Sequence, residues 1–293
     1  MKYKTEIDTI TIQIDCDYAE QQREILDELL RFTTGVNLFI GHKDSIVGNN
    51  MLRREHYIYA NNITVATINT GVFRAGSYIQ GTYTMKYYIN IKFAGLKTYN
   101  EVLDRVSNDY LLRICAFLNT RGIVFKLTEL DVCIDAESAF ENILAICTKK
   151  SPKTNYYSLT DKQTYATTTY VEKMIKKKFD KAVLRAYTYD KRYKEKLSYD
   201  LTRFEIKLQA KYFNKDGFSI EAIEKVLNRY HVMYFESTEY KKQIVDKYCT
   251  YQMVRKREIK KLKLNNYRLM PDMRYISNFI NQLRTVPDIY TIF

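Results

Sequence analysis

Three short segments of this chain alternate between apolar and ionised residues, and a strand with one apolar and one charged face belongs in a sheet that buries one side. In TELDVCIDA, Leu130, Val132 and Ile134 face one way while Glu129, Asp131, Cys133 and Asp135 face the other. In AVLRAYTYDK, Leu184, Ala186 and Thr188 alternate with Arg185, Tyr187, Tyr189 and Lys191. In TRFEIKLQ, Phe204, Ile206 and Leu208 alternate with Arg203, Glu205 and Lys207. If the strands pair, Asp131, Asp135, Arg185, Tyr189, Lys191, Arg203, Glu205 and Lys207 share one open face.

The rest of the chain supplies the context for such a sheet. Ile10, Ile12 and Ile14 mark a half-buried strand, and Ile25, Leu26, Leu29 and Leu30 a helix over Tyr18 to Phe32 that stops at Gly35. Asn61-Asn62 interrupts a β-rich run and predicts a tight hairpin. A long alternating strand from Tyr83 to Phe93 follows, and Thr98 to Glu101 has capping-box spacing for a helix running to about Asn119. A second round reads as a strand to Ala136, a helix over Ser138 to Thr148, and further strands. This order predicts an α+β fold: an antiparallel sheet with helices packed on one face, an open polar face, and an order consistent with two related halves. No residue-level repeat proves a duplication. Residues 149–180 are polar and read as a long loop with a short strand. Beyond Gly217 the periodicity predicts helices at Ser219 to Tyr230, Thr238 to about Leu264 and Met273 to Leu283. The expected division is an α+β domain over 1–215 and a helical, basic region over 216–293.

Charge narrows the partner. Lys plus Arg number 47 against 34 Asp plus Glu, so the net charge is 47 − 34 = +13, which calls for an anionic partner. No apolar run reaches membrane-spanning length, and the first 20 residues alternate in polarity instead of forming a signal peptide, so a cytoplasmic protein without a membrane partner is expected. Five dispersed cysteines read as reduced, small hydrophobes, and His42, His56 and His231 stand too far apart in sequence for a His/Cys zinc site. A metal would sit on carboxylates, which favours Mg²⁺ or Mn²⁺. The 27 tyrosines with no tryptophan fit either an AT-rich coding sequence or a surface that stacks bases.

Two readings of the ionised face compete. It is an ordinary solvent face laced with cross-strand ion pairs, or it is a site where Asp131 and Glu205 hold a metal beside a tyrosine that attacks a phosphodiester. Asp131 and Asp135 are four residues apart on a strand, about 13 Å. They cannot share one ion, and Asp131, nearer the strand centre, is the better ligand. The run RKREIKKLK, with Arg255, Arg257, Lys260, Lys261 and Lys263 among its six basic residues, is either a solvated helix end or a phosphate contact.

The segment LRAYTYDKRYKEKLSYDLTRFEIKL resembles the signature of the replication initiation factors of rolling-circle plasmids and filamentous phages, the Rep_trans group that includes the staphylococcal plasmid initiators. The matching residues are Arg185, Tyr189, Asp190 and Lys191, then Arg203, Phe204, Glu205 and Ile206. The upstream stretch Leu130 to Asp135 is similar to the family's Arg-Ile-Asp-Ile-Ala-Ile-Asp strand, and Gln163 to Val171 to the segment before the tyrosine strand. The resemblance covers roughly residues 50–215. The chain departs from it at Glu129, where the family has Arg, and after Tyr170, where Val171-Glu172-Lys173 stands in place of x-Gly-x-Arg.

The resemblance implies that Tyr189 attacks a DNA phosphorus at an origin hairpin or single-stranded nick site, leaving a 5′-phosphotyrosine and a 3′-hydroxyl primer. Lys191 would stabilise the phenolate or phosphate charge, since a phenol with a pKa near 10 is protonated at neutral pH. A divalent metal on Asp131, Asp135 or Glu205 would polarise the phosphate. Arg185, Arg203, Lys207, Arg255, Arg257, Lys260 and Lys261 would contact DNA. A host helicase and a homodimer are further expected partners, in the bacterial host of a plasmid, phage or other mobile element. Tyr187 is the rival nucleophile. A conjugative-type relaxase with the same chemistry and a non-enzymatic DNA-binding regulator are the alternative functions.

Overall fold

The computed structural model describes residues 1–47, 51–77, 82–97, 99–149, 164–165, 168–172, 183–209, 219–248 and 253–284. Fourteen strands and seven helices are described, so the α+β expectation holds. They form two compact units, Asp8–Leu130 with the residues from Asn278 onward, and Met1–Ile7 with Asp131–Ser277.

The first unit contains most of β1 (Tyr3–Cys16), then α1 (Ala19–Gly35), β2 (Phe39–Val47), β3 (Met51–Ala60), β4 (Ile63–Ser77), β5 (Thr82–Ala94), α2 (Glu101–Thr120) and the start of β6 (Phe125–Ala136). Strands β2, β3, β4, β5 and β1 are neighbours in that order and antiparallel. The β3–β4 hairpin turns on Asn61 and Asn62, whose φ angles of 49° and 63° are both left-handed. A two-residue turn matching strand twist requires this backbone, and asparagine tolerates it better than most side chains. Ile10, Ile12 and Ile14 are fully buried. Helices α1 and α2 meet through Phe32 stacked on Phe117, at 4.6 Å between ring centroids, and a buried Thr33–Tyr110 hydrogen bond of 2.7 Å. Asn100 caps α2 by accepting from the Leu103 amide; Thr98, the expected start of the capping box, lies outside the described residues.

The second unit holds the end of β6, β7 (Ile143–Lys149), β8 (Thr164–Tyr165), β9 (Thr168–Glu172), β10 (Val183–Asp190), α3 (Lys191–Glu195), β11 (Thr202–Gln209), α4 (Ile220–Leu227), β12 (Tyr230–Tyr234), α5 (Thr238–Tyr248), β13 (Met253–Arg255), α6 (Lys256–Lys261), β14 (Arg268–Leu269) and the start of α7 (Met273–Arg284). Its larger sheet runs β6-β11-β10-β9-β8, and a second sheet runs β13-β7-β12-β14. Most of the long polar segment expected as a loop lies outside the described residues.

Two expectations fail here for identifiable reasons. The segment Ser138 to Thr148, predicted helical, forms β7 after a single 3-10 turn at Phe140–Asn142. Residues Ile143 through Thr148 are all buried, and a strand buried on both faces shows no alternation to separate it from a helix. The long helix predicted from Thr238 to Leu264 is instead α5, β13 and α6. Val254 and Ile259 pack with Leu144, Ile146, Met233 and Phe235 in one apolar cluster, so tertiary burial overrides the continuous helical reading. Among the described residues no helix is long and apolar enough to cross a membrane.

Candidate active site

Strand pairing brings the three ionised segments together. Between β10 and β11, Arg185 lies opposite Lys207, Tyr187 opposite Glu205, and Tyr189 opposite Arg203. On the other side of β10, Tyr170 lies opposite Tyr187 and Thr168 opposite Tyr189. The Lys207 ammonium is 3.6 Å from Asp131 Oδ2, while Arg203 grips Asp135, so the β6 and β11 contacts run in opposite sequence directions, as in an antiparallel pair.

This face is not open as expected. Asp131, Asp135, Tyr189, Lys191, Arg203 and Glu205 are all buried, whereas Arg185 is exposed and Lys207 half-buried. The charges tolerate burial because they satisfy one another. Arg203 donates from Nε to Asp135 Oδ1 at 2.7 Å and from Nη2 to Oδ2 at 2.9 Å, a planar fork that suits guanidinium and carboxylate. Arg203, expected as a DNA contact, is therefore an internal ion-pair partner. Tyr275, at the start of α7, donates to Glu6 of β1. Burial first, and then the Glu6 carboxylate, push the Tyr275 hydroxyl up to about 12.

Glu205 is the hub. The Tyr187 hydroxyl donates to its Oε1, and the Tyr189 hydroxyl donates to its Oε2 at 3.2 Å. The two tyrosine rings stack at 5.5 Å. Burial, followed by the Glu205 charge, pushes the Tyr187 hydroxyl well above the ordinary phenol range, with Asp131 adding to the effect. Tyr187 thus keeps its proton.

Lys191 does not continue β10. Asp190 accepts from the Tyr193 amide and caps α3, so Lys191 begins the helix and pairs with Glu195 at 3.0 Å. Its ammonium still lies 5.8 Å from the Tyr189 ring centroid. Lys194, which the strand reading passed over, lies closer at 5.0 Å and is exposed. The signal for it was present: a capping Asp190 starts a helix whose first and fourth residues, Lys191 and Lys194, share one side.

Leu184 departs from the expected parity. A register shift between Val183 and Arg185 turns Leu184 outward, where it is 47% exposed. Arg185 lies with its guanidinium 5.9 Å from the Tyr187 ring centroid. Arg255, Arg257, Lys260 and Lys261 are exposed on and beside α6, away from this cluster in sequence.

The expected Mg²⁺ or Mn²⁺ would need carboxylate oxygens not already committed to other partners. Asp135 has both oxygens engaged by Arg203 and does not suit a ligand role. No group of three or more His, Cys, Asp or Glu among the described residues is arranged to hold a metal ion. Of the other two candidate carboxylates, Asp131 faces the Lys207 ammonium at 3.6 Å and Glu205 accepts from both tyrosine hydroxyls. A cation held there would need substrate phosphate oxygens and water to complete its shell. Four cysteines, Cys16, Cys115, Cys133 and Cys147, are free and buried; Cys249 lies outside the described residues.

Fold and site together define an α+β protein whose central cluster pairs two tyrosines with one carboxylate. No protein-family model matches the sequence, and no curated protein matches it. Among solved structures, the rolling circle replication initiator protein from Geobacillus stearothermophilus is similar at 11% identity and a TM-score of 0.39, covering 98% of this chain and 99% of that one.

Proposed function

We propose that this chain is a rolling-circle replication initiator, a site-specific nicking and closing enzyme that uses Tyr189 as its nucleophile. The observation that carries the reading is the Tyr189 hydroxyl donating to Glu205 Oε2 at 3.2 Å, with two lysines beside the same ring. A phenol needs its proton removed to attack phosphorus at neutral pH, and Glu205 is hydrogen-bonded to that proton. The sequence resemblance assigns Tyr189 the same role.

In the reaction, Tyr189 Oη bonds to phosphorus, its proton passes to Glu205, and the P–O3′ bond breaks. The products are a 5′-phosphotyrosine and a 3′-hydroxyl, with the leaving oxygen taking up a proton. The reverse reaction closes the strand. Lys194, exposed beside the Tyr189 ring, balances phosphate charge, and Lys191, paired with Glu195 within α3, adds a second positive charge beside the ring. Tyr187 orients Glu205 by donating to its other oxygen. A divalent cation on Asp131 and Glu205 would supply electrostatic stabilisation to the scissile phosphate.

The test is covalent trapping. Wild-type protein, Tyr189→Phe and Tyr187→Phe are incubated with labelled single-stranded oligonucleotides tiled across the protein's own locus. A protein-linked product from wild type and Tyr187→Phe but not from Tyr189→Phe supports the assignment. A linked product persisting in Tyr189→Phe assigns the nucleophile elsewhere. Specific binding with no cleavage across the tiled set replaces the reading with that of a DNA-binding regulator.

A further inference from the structure

A groove in the second unit, separate from the tyrosine cluster, is lined largely by aromatic side chains. Its volume is about 690 Å³, within the roughly 300–1,000 Å³ of built ligand clefts. Tyr3, Tyr234, Tyr240 and Tyr267 line it, together with Arg268, Asn266 and one carboxylate, Glu236. Tyr267 lies on Phe235 with ring centroids 4.9 Å apart and planes at 21°, and Tyr240 closes the cluster at 6.1 Å from Tyr267. Tyr3 and Tyr267 are nevertheless 43% and 38% exposed, which leaves aromatic surface facing solvent on a rigid base.

The chain that forms one wall of this groove comes directly from the most basic stretch of the protein. Arg255, Lys256, Arg257, Lys260, Lys261 and Lys263 are all exposed, and the 3-10 turn Leu264–Tyr267 follows at once. The left-handed backbone of Lys263, with φ of 52°, makes the sharp change of direction from α6 into the groove wall. Aromatic rings beside a run of cations form the pairing that holds single strands: rings stack unpaired bases while cations track the phosphates.

We propose that this groove binds unpaired bases of single-stranded DNA, with Tyr267 and Tyr3 as stacking surfaces and the α6 cations holding the backbone. The proposal shares with the reading above only that DNA is the partner. It gives the chain a second strand-holding site, distinct from the site of cleavage.

The test measures affinity of the full chain for a fluorescent twelve-residue oligothymidine over a range of salt, in parallel with a duplex and an abasic strand of equal length. Stacking is worth about five- to 150-fold per base. Tyr267→Leu and Tyr3→Leu should each weaken oligothymidine binding at least fivefold, Tyr267→Phe should stay within twofold, and the abasic strand should bind the wild type as weakly as the leucine variants bind oligothymidine. Replacing Lys260 and Lys261 together by Ala should reduce the salt slope by about 1.4, at roughly 0.7 per lost single-strand contact. Unchanged affinity in both leucine variants, or a duplex bound as tightly as the single strand, overturns the proposal. So does a leucine variant that changes the sedimentation mass and not the affinity, which makes the groove a contact with a second copy. Groove occupancy is read by oligothymidine affinity and nicking by covalent trapping, so failure of nicking and failure of the groove are separate results.

Discussion

The buried Arg203–Asp135 pair offers the sharpest test of how this sheet tolerates its charges. Their side chains are 0% and 1% exposed, and two hydrogen bonds of 2.7 and 2.9 Å join them. Asp135→Ala would leave a guanidinium enclosed without its counter-charge. Removing one partner of such a pair costs about 3–5 kcal/mol, whereas replacing both partners by apolar residues of similar size is often neutral or stabilising. Urea unfolding followed by circular dichroism reads the difference. With a urea dependence of about 3 kcal/mol per molar, the Asp135→Ala midpoint should fall by at least about 1 M. Arg203→Met combined with Asp135→Leu should recover most of that loss. The same double variant should keep wild-type DNA affinity and salt dependence, because Arg203 is enclosed within the protein. A loss below about 1 kcal/mol in Asp135→Ala, or a double variant no better than the single one, would refute the buried-pair account. A reduced salt slope in the double variant would return Arg203 to the DNA interface.

Three further outcomes are expected. Glu205→Gln keeps the size of the side chain but cannot accept the Tyr189 proton, and it should lower the rate of covalent attachment by about 10²–10⁴-fold; unchanged attachment would remove Glu205 from the chemistry, and activity undiminished by EDTA would remove the cation. Burial, then Arg268 and Lys256, hold His231 down to about 4. The unfolded chain therefore takes up a proton that the folded one refuses, so up to about 3 kcal/mol of stability is lost as pH falls from 6.5 to 4; His231→Leu should flatten this dependence in urea titrations, and an unchanged slope would assign it to other groups. At the β3–β4 turn, Asn62→Ala should lose about 1 kcal/mol while Asn62→Gly should not; equal losses in thermal unfolding would argue against the left-handed turn.

Much of the architecture follows from short-range pattern. Alternation marked β1, β5, β6, β10 and β11, and two consecutive asparagines marked a hairpin, because side-chain period and turn backbone are local properties of the chain. The composition of the tyrosine site was also legible: parity alone set Asp131, Tyr187, Tyr189, Glu205 and Lys207 on common faces. What parity could not supply was whether that face met water. A charge is costly to bury alone and tolerable when paired, and pairing depends on strand order and register, which bring Asp135 to Arg203 and two tyrosines to Glu205 across gaps of 16–68 residues. The same limit explains β7, where burial on both faces erased the period, and the segmented α5–β13–α6 region, where packing of Val254 and Ile259 into an apolar cluster overrode a continuous helix. Sequence by itself determined which residues are strands with an ionised side and that the chain is strongly basic. Only the tertiary structure decided that the ionised side closes on itself while the surplus positive charge stays exposed along α6, because burial selects charges with partners and leaves the rest to solvent.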